Sequence, residues 1–110
     1  MKNIKHVQVQ WKAAHLDEAR DISALLISKR LVACCSIIPL VESWFEWDGE
    51  LQQESEVKVE MKTVDMHLPK IQKIIVKNHT YDLPEIIAFD IVDGFENYLG
   101  WIEGSVKATV

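Results

Sequence analysis

The 110-residue sequence predicts an α+β fold of the ferredoxin-like kind, βαββαβ around a long central hairpin, with an added C-terminal helix. Three observations predict it. Apolar stretches rich in β-branched and aromatic residues alternate with two stretches whose apolar residues recur at helical spacing. A hairpin around Asp48-Gly49 sits in the middle of that order, because an Asp-Gly pair supplies the positive φ of a tight type I′ turn. The length suits one core and no second, so residues 1–110 read as a single domain.

Residues 4–12, with Ile4, Val7, Val9 and Trp11, read as the first strand. Asp17 is expected to cap a helix whose stripe is Ala19, Ile22, Leu25 and Leu26, with Lys29 and Arg30 complementing its carbonyl end. The run VACCSIIPLVESWFEW, 32–47, is extended, but Pro39 cannot donate to a ladder and marks an edge or bulge. Past the turn the chain returns through 51–63, with Val57, Val59 and Met61 on one face and Lys58, Glu60 and Lys62 on the other. A second helix over 65–78 presents Leu68, Ile71, Ile74 and Ile75, with Pro69 in its first turn. The loop HTYDLPE, 79–85, leads into IIAFDIV, 86–92, an apolar run typical of a buried strand. Asp93-Gly94 turns the chain into a short helix carrying Tyr98, Leu99, Trp101 and Ile102, against the preference of Gly100 and Gly104.

In this plan both long helices cover one face of the sheet and leave the other open, while the hairpin outruns the rest. Its tip carries Trp44, Phe45 and Trp47. Such rings bury roughly 150–250 Å² each when enclosed, which predicts a second subunit over them.

Composition narrows the function. A hydrophobic fraction of 48% and a charged fraction of 26% are those of a soluble globular protein. The net charge of −5 includes no dense basic run, which argues against nucleic acid. An RNA-recognition domain shares the element order, but its glycine-aromatic motif is missing. No run approaches the roughly 18 apolar residues of a membrane span, and the N-terminus has no leader-like apolar region. The expected address is cytoplasmic, a targeting segment removed upstream being invisible in the sequence. With no phosphate loop, paired zinc motif or nucleophile elbow, the chain is not expected to be an enzyme.

His79, Tyr81, Asp82 and Glu85 form the densest set of ligating or titrating groups. A neutral imidazole with carboxylates can take Cu²⁺ or Zn²⁺; the plainer reading is a loop held by hydrogen bonds. Cys34 and Cys35, adjacent on a strand, point to opposite faces, so no internal disulfide is expected. They read as soft-metal ligands or redox-sensitive thiols, or as small buried hydrophobes. His6, His15 and His67 have no ligand-spaced partner and read as surface or capping residues. Trp44, Phe45, Trp47 and Trp101 read as packing groups, or as a stacking platform for a small molecule.

Several spaced motifs together resemble a known family: Ala19-Arg20, RLVACCSIIP (30–39), SWFEWDGEL (43–51), SEVKVEMKT (55–63), HTYDLPEIIAF (79–89) and YLGWI (98–102). In order and over nearly the whole chain, they look like the CutA family of divalent-cation tolerance proteins. The resemblance implies a homotrimer in which the hairpin, Trp44, Phe45, Trp47, Asp48 and Gly49, is an arm pairing across subunits. It also implies an inter-subunit pocket using Glu56, Lys62, Tyr81, Asp82, Glu85 and Trp101, and an association with copper or another divalent cation. His79 matches a family ligand position. The sequence departs from the family's usual His-Pro-Tyr-Glu at Thr80 and Asp82, from its usual Gly at Leu40, and from a common Asn at Ser36. Where some members carry a cysteine proposed to bind copper, near the end of the first strand, this chain has Trp11. The expected function is thus a non-enzymatic trimer for copper binding, tolerance or homeostasis. The alternative is a scaffold of PII-like architecture taking a small metabolite or protein in its clefts.

Overall fold

A computed structural model describes residues 3–110. They form, in order, β1 (His6–Ala13), α1 (Leu16–Ser28), β2 (Cys34–Trp47), β3 (Glu50–Val64), α2 (Leu68–Asn78), β4 (Ile86–Asp90) and α3 (Glu96–Ser105). The strands make one sheet in the order β2-β3-β1-β4, with antiparallel neighbours throughout.

The alternation expected on β3 holds. Val57, Val59 and Met61 lie opposite Ala13, Trp11 and Val9 of β1, and all six are buried. That face packs on Ala19, Ile22 and Leu26 of α1 and on Ile71 and Ile75 of α2. Each of its Val, Leu, Ile and Met side chains contributes roughly 1.5–3 kcal/mol when fully buried, so this layer is the main source of stability. The opposite face carries Gln8, Gln10 and Lys12 of β1 beside Lys62, Glu60 and Lys58 of β3. Only its far end is covered, where Ile102 and Val106 pack on Val64.

Several elements differ from expectation. His15 caps α1 in place of Asp17: its extended backbone lets ring Nδ1 accept the Glu18 N–H at 3.3 Å. Asp17 and Glu18 fall instead in the first turn, at the positive end of the dipole. At the other end the helix stops at Ser28, and Arg30 takes a left-handed conformation, φ 56°. The amides of Arg30 and Leu31 donate to the carbonyls of Ile27 and Leu26, a Schellman closure sealed by buried Leu31 and Leu26. Arg30 therefore serves as a corner; its guanidinium donates to the Gly104 carbonyl and its own carbonyl accepts the Lys107 N–H.

The second helix begins later than residue 65, because Asp65–His67 form a 3₁₀ turn before Pro69 enters the first α turn. His67 is not at the surface. It is 1% exposed, and its Nε2 meets the Lys107 carbonyl at 2.8 Å. The last strand ends at Asp90 and is not buried: Ile87 and Phe89 are 43% and 49% exposed. β4 pairs only with β1, and these two residues, opposite Gln10 and Gln8, stand on the uncovered face.

Candidate functional site

Beyond the pair Ile38↔Lys58 the β2–β3 ladder shifts register by one residue, resuming at Val41↔Glu56. Pro39 and Leu40 thus oppose Val57 alone, so the proline sits at a bulge and on an edge strand, the two settings expected of it. The extra residue has a directional effect. Before it, Cys35 and Ile37 face the helices; after it, Val41, Ser43, Phe45 and Trp47 share the open face with Glu56 and Lys58. The turn has φ 52° at Asp48 and 79° at Gly49, as its sequence requires. From Val41↔Glu56 to Trp47↔Glu50 no third strand among the described residues pairs with the hairpin, and Trp44, Phe45, Trp47 and Leu51 are exposed.

A cleft of about 540 Å³ opens where this arm leaves the body. At its centre the Lys12 ammonium lies 3.2 Å from Glu85 Oε1, 3.3 Å from Ser43 Oγ and 3.8 Å from Glu56 Oε2. The Ser43 hydroxyl donates to Glu56, and the Gln10 amide donates to Glu85 at 2.7 Å. Glu56 is only 9% exposed, and a carboxylate is that deeply buried only with such partners. Tyr81 and Phe45 form aromatic walls, while the Trp44 indole, on the other face of the arm, donates to Glu42 at 2.6 Å. Burial, and then the neighbouring Glu56 carboxylate, push the Tyr81 hydroxyl up to about 12.

Of the sequence-predicted pocket residues, one chain brings Glu56, Tyr81 and Glu85 together. Lys62 lies farther along β3, between Cys34 and Gln8; Asp82 is exposed in the loop; Trp101 stacks on Tyr98 in α3 at 5.5 Å. The sequence reading missed Lys12, Ser43 and Gln10. The legible signal was that Gln8, Gln10 and Lys12 form the polar face of β1.

The loop that supplies Tyr81 is tied to α1. Buried Glu18 accepts the Thr80 N–H at 3.0 Å, the Thr80 hydroxyl at 3.2 Å and the Ala14 N–H at 3.3 Å. A proline at position 80 would lack both of the Thr80 donors. His79 accepts the Tyr81 N–H on Nδ1 at 2.9 Å.

The cysteines part as expected and are free thiols. Cys34, paired with Lys62, is on the open face with its Sγ 3.7 Å from the Tyr98 hydroxyl. Cys35 faces the helices, and burial pushes its thiol up to about 11. Trp11, standing where a family copper ligand is proposed, is fully buried in the core. Among the described residues no group of three or more His, Cys, Asp or Glu is disposed to hold a metal ion. Within one chain His79, Cys34 and Cys35 do not come together in such a group.

The sheet, its helices and its overhanging arm define the class as a small α+β protein of ferredoxin-like architecture with an open cleft on the uncovered face. A sequence profile for the CutA1 divalent ion tolerance protein matches residues 7–105, and the chain belongs to that family. It is 32% identical over 105 residues to the divalent-cation tolerance protein CutA of Escherichia coli O139:H28, covering 96% of this chain and 94% of that one. The chloroplastic protein CutA of Arabidopsis thaliana is 30% identical over 106 residues, 96% of this chain. The chain spans only 58% of that relative's length, and 59% of a zebrafish CutA homolog's. The crystal structure of CutA1 from Oryza sativa superposes with a TM-score of 0.92 at 30% identity, covering 96% of each chain. Among the described residues no helix is long and apolar enough to cross a membrane.

Proposed function

We propose that the protein is a non-enzymatic homotrimer serving divalent-cation tolerance, assembled through its hairpin arm, with the cleft at the arm's base as its ligand site. The observation that carries this reading is the junction itself. A nearly buried Glu56 and Glu85 converge on Lys12 beneath Tyr81, next to an arm whose Trp44 and Trp47 are 60% and 51% exposed in the single chain. Exposed aromatics in that number support burial by neighbouring copies. A mixed polar and aromatic cleft supports small-ligand binding. The cytoplasmic address stays an expectation of the sequence.

A second reading, direct copper binding, is favoured by one observation, the position of Cys34 on the open face. Symmetry copies of that thiol are the way a soft-metal site would be completed between chains. Native mass spectrometry of the metal-free protein, followed by titration with Cu²⁺ and Zn²⁺, tests both. The expected result is a trimer that becomes monomeric or insoluble when residues 44–51 are shortened. Metal uptake lost in Cys34→Ser would establish the copper reading. An intact trimer after shortening overturns the arm's role.

A further inference from the structure

A backbone N–H can only donate, so the Tyr81 amide at 2.9 Å requires a lone pair on His79 Nδ1. A neutral imidazole has one such lone pair, which puts the ring proton on Nε2. A metal ion also needs a lone pair. At Nδ1 it displaces the Tyr81 amide directly. At Nε2 it forces the proton onto Nδ1, where two donors then face each other. Either route removes the hydrogen bond that closes the 79–81 turn. The same loop is fixed on its other side by Thr80, whose N–H and hydroxyl both donate to buried Glu18, and at its start by the His79 amide donating to the Ile75 carbonyl. Tyr81 and Glu85 reach the cleft from this loop.

We propose that His79 is a positioning residue, the acceptor of a clamp that seats Tyr81 in the cleft, so that metal capture by its ring and closure of the loop exclude one another. The significance of the clamp for ligand binding rests on the reading of the cleft as the ligand site; the clamp itself does not. A transition-metal ion therefore cannot take the His79 ring while the Tyr81 amide keeps its acceptor.

The test uses the full chain with Zn²⁺ alone as probe. ¹⁵N spectra of the His79 ring should show the Nε2–H tautomer. Amide exchange at Tyr81 should quicken about five- to tenfold in His79→Ala, the effect of losing one hydrogen bond. In His79→Asn, whose Oδ1 replaces Nδ1 as acceptor, it should stay within about twofold of the parent. Zn²⁺ that perturbs the His79 ring should also release the Tyr81 amide, and Zn²⁺ that leaves the Nε2–H tautomer in place should leave the amide protected. Zn²⁺ bound to His79 with Tyr81 still protected, or unchanged exchange in His79→Ala, would overturn the clamp. Failure of the ligand-site reading looks different: the exchange pattern holds, while no small molecule protects Tyr81 or Glu85.

Discussion

The body of the sheet and its arm are built from the same two strands, yet only one is finished within the chain. In the body, Val57, Val59 and Met61 of β3 lie under two helices and are almost completely buried. In the arm, Phe45 and Trp47 on one face and Trp44 on the other are covered by no helix among the described residues. Alternation decides which residues travel together. Burial is conferred by what lies opposite, and the arm has apolar groups on both faces and a partner on neither.

Three substitutions break or sharpen that contrast. The largest effect is expected from Trp11→Ala, which empties a site with no solvent exposure and should lower the unfolding free energy by about 3–5 kcal/mol in urea. Trp47→Ala should change the stability of the isolated chain by no more than about 0.5 kcal/mol. Its consequence belongs in the assembled mass; equal losses for the two tryptophans in a monomeric chain would dissolve the distinction.

Gly49→Ala comes next, at about 1 kcal/mol, because its φ of 79° is strained for any residue with a Cβ although the space around it is open. The same denaturant curves measure it, and a loss several times larger would mean that the tip packs within its own chain.

A pH-dependent effect is expected at the junction of the two regions. The Tyr81 hydroxyl is raised from 10.0 to about 12, so between those pH values the unfolded chain loses its proton while the folded one keeps it. The contribution to stability is therefore fully present below pH 10 and is lost as pH rises toward 12. Phenolate absorbance should show this late titration, absent from Tyr81→Phe and moved back toward 10 in Glu56→Gln. An unmoved titration in Glu56→Gln would leave burial, with the more distant Glu54 and Glu18 carboxylates, as its cause.

Much of the fold was legible because its signals are local. The Asp48-Gly49 turn, the Pro39 bulge and the alternation from Val57 to Lys62 each depend on neighbours in sequence. The misreadings have the opposite origin. Ile86 to Val92 reads as buried because it is apolar, but β4 became an edge whose open face no helix reaches. His67 reads as a surface or capping residue; it does stand at the N-cap position of α2, but its ring is buried and bonds the C-terminal segment that returns over it. Asp17 is as good a cap by type as His15, and only the extended backbone at His15 decides between them.

By itself, the sequence determined the order of elements, the residues that share each strand face and helix stripe, and the tight turn of the arm. These follow from backbone sterics and side-chain periods of two and 3.6 residues, which act over a few positions. Tertiary structure alone decided that Lys12, Ser43, Glu56 and Glu85 meet, and that the lone pair of His79 is committed to the Tyr81 amide. Those contacts depend on strand register, on one extra residue at Leu40 and on the path of a loop. Angstrom-scale placement of groups distant in sequence is fixed only when the whole sheet closes.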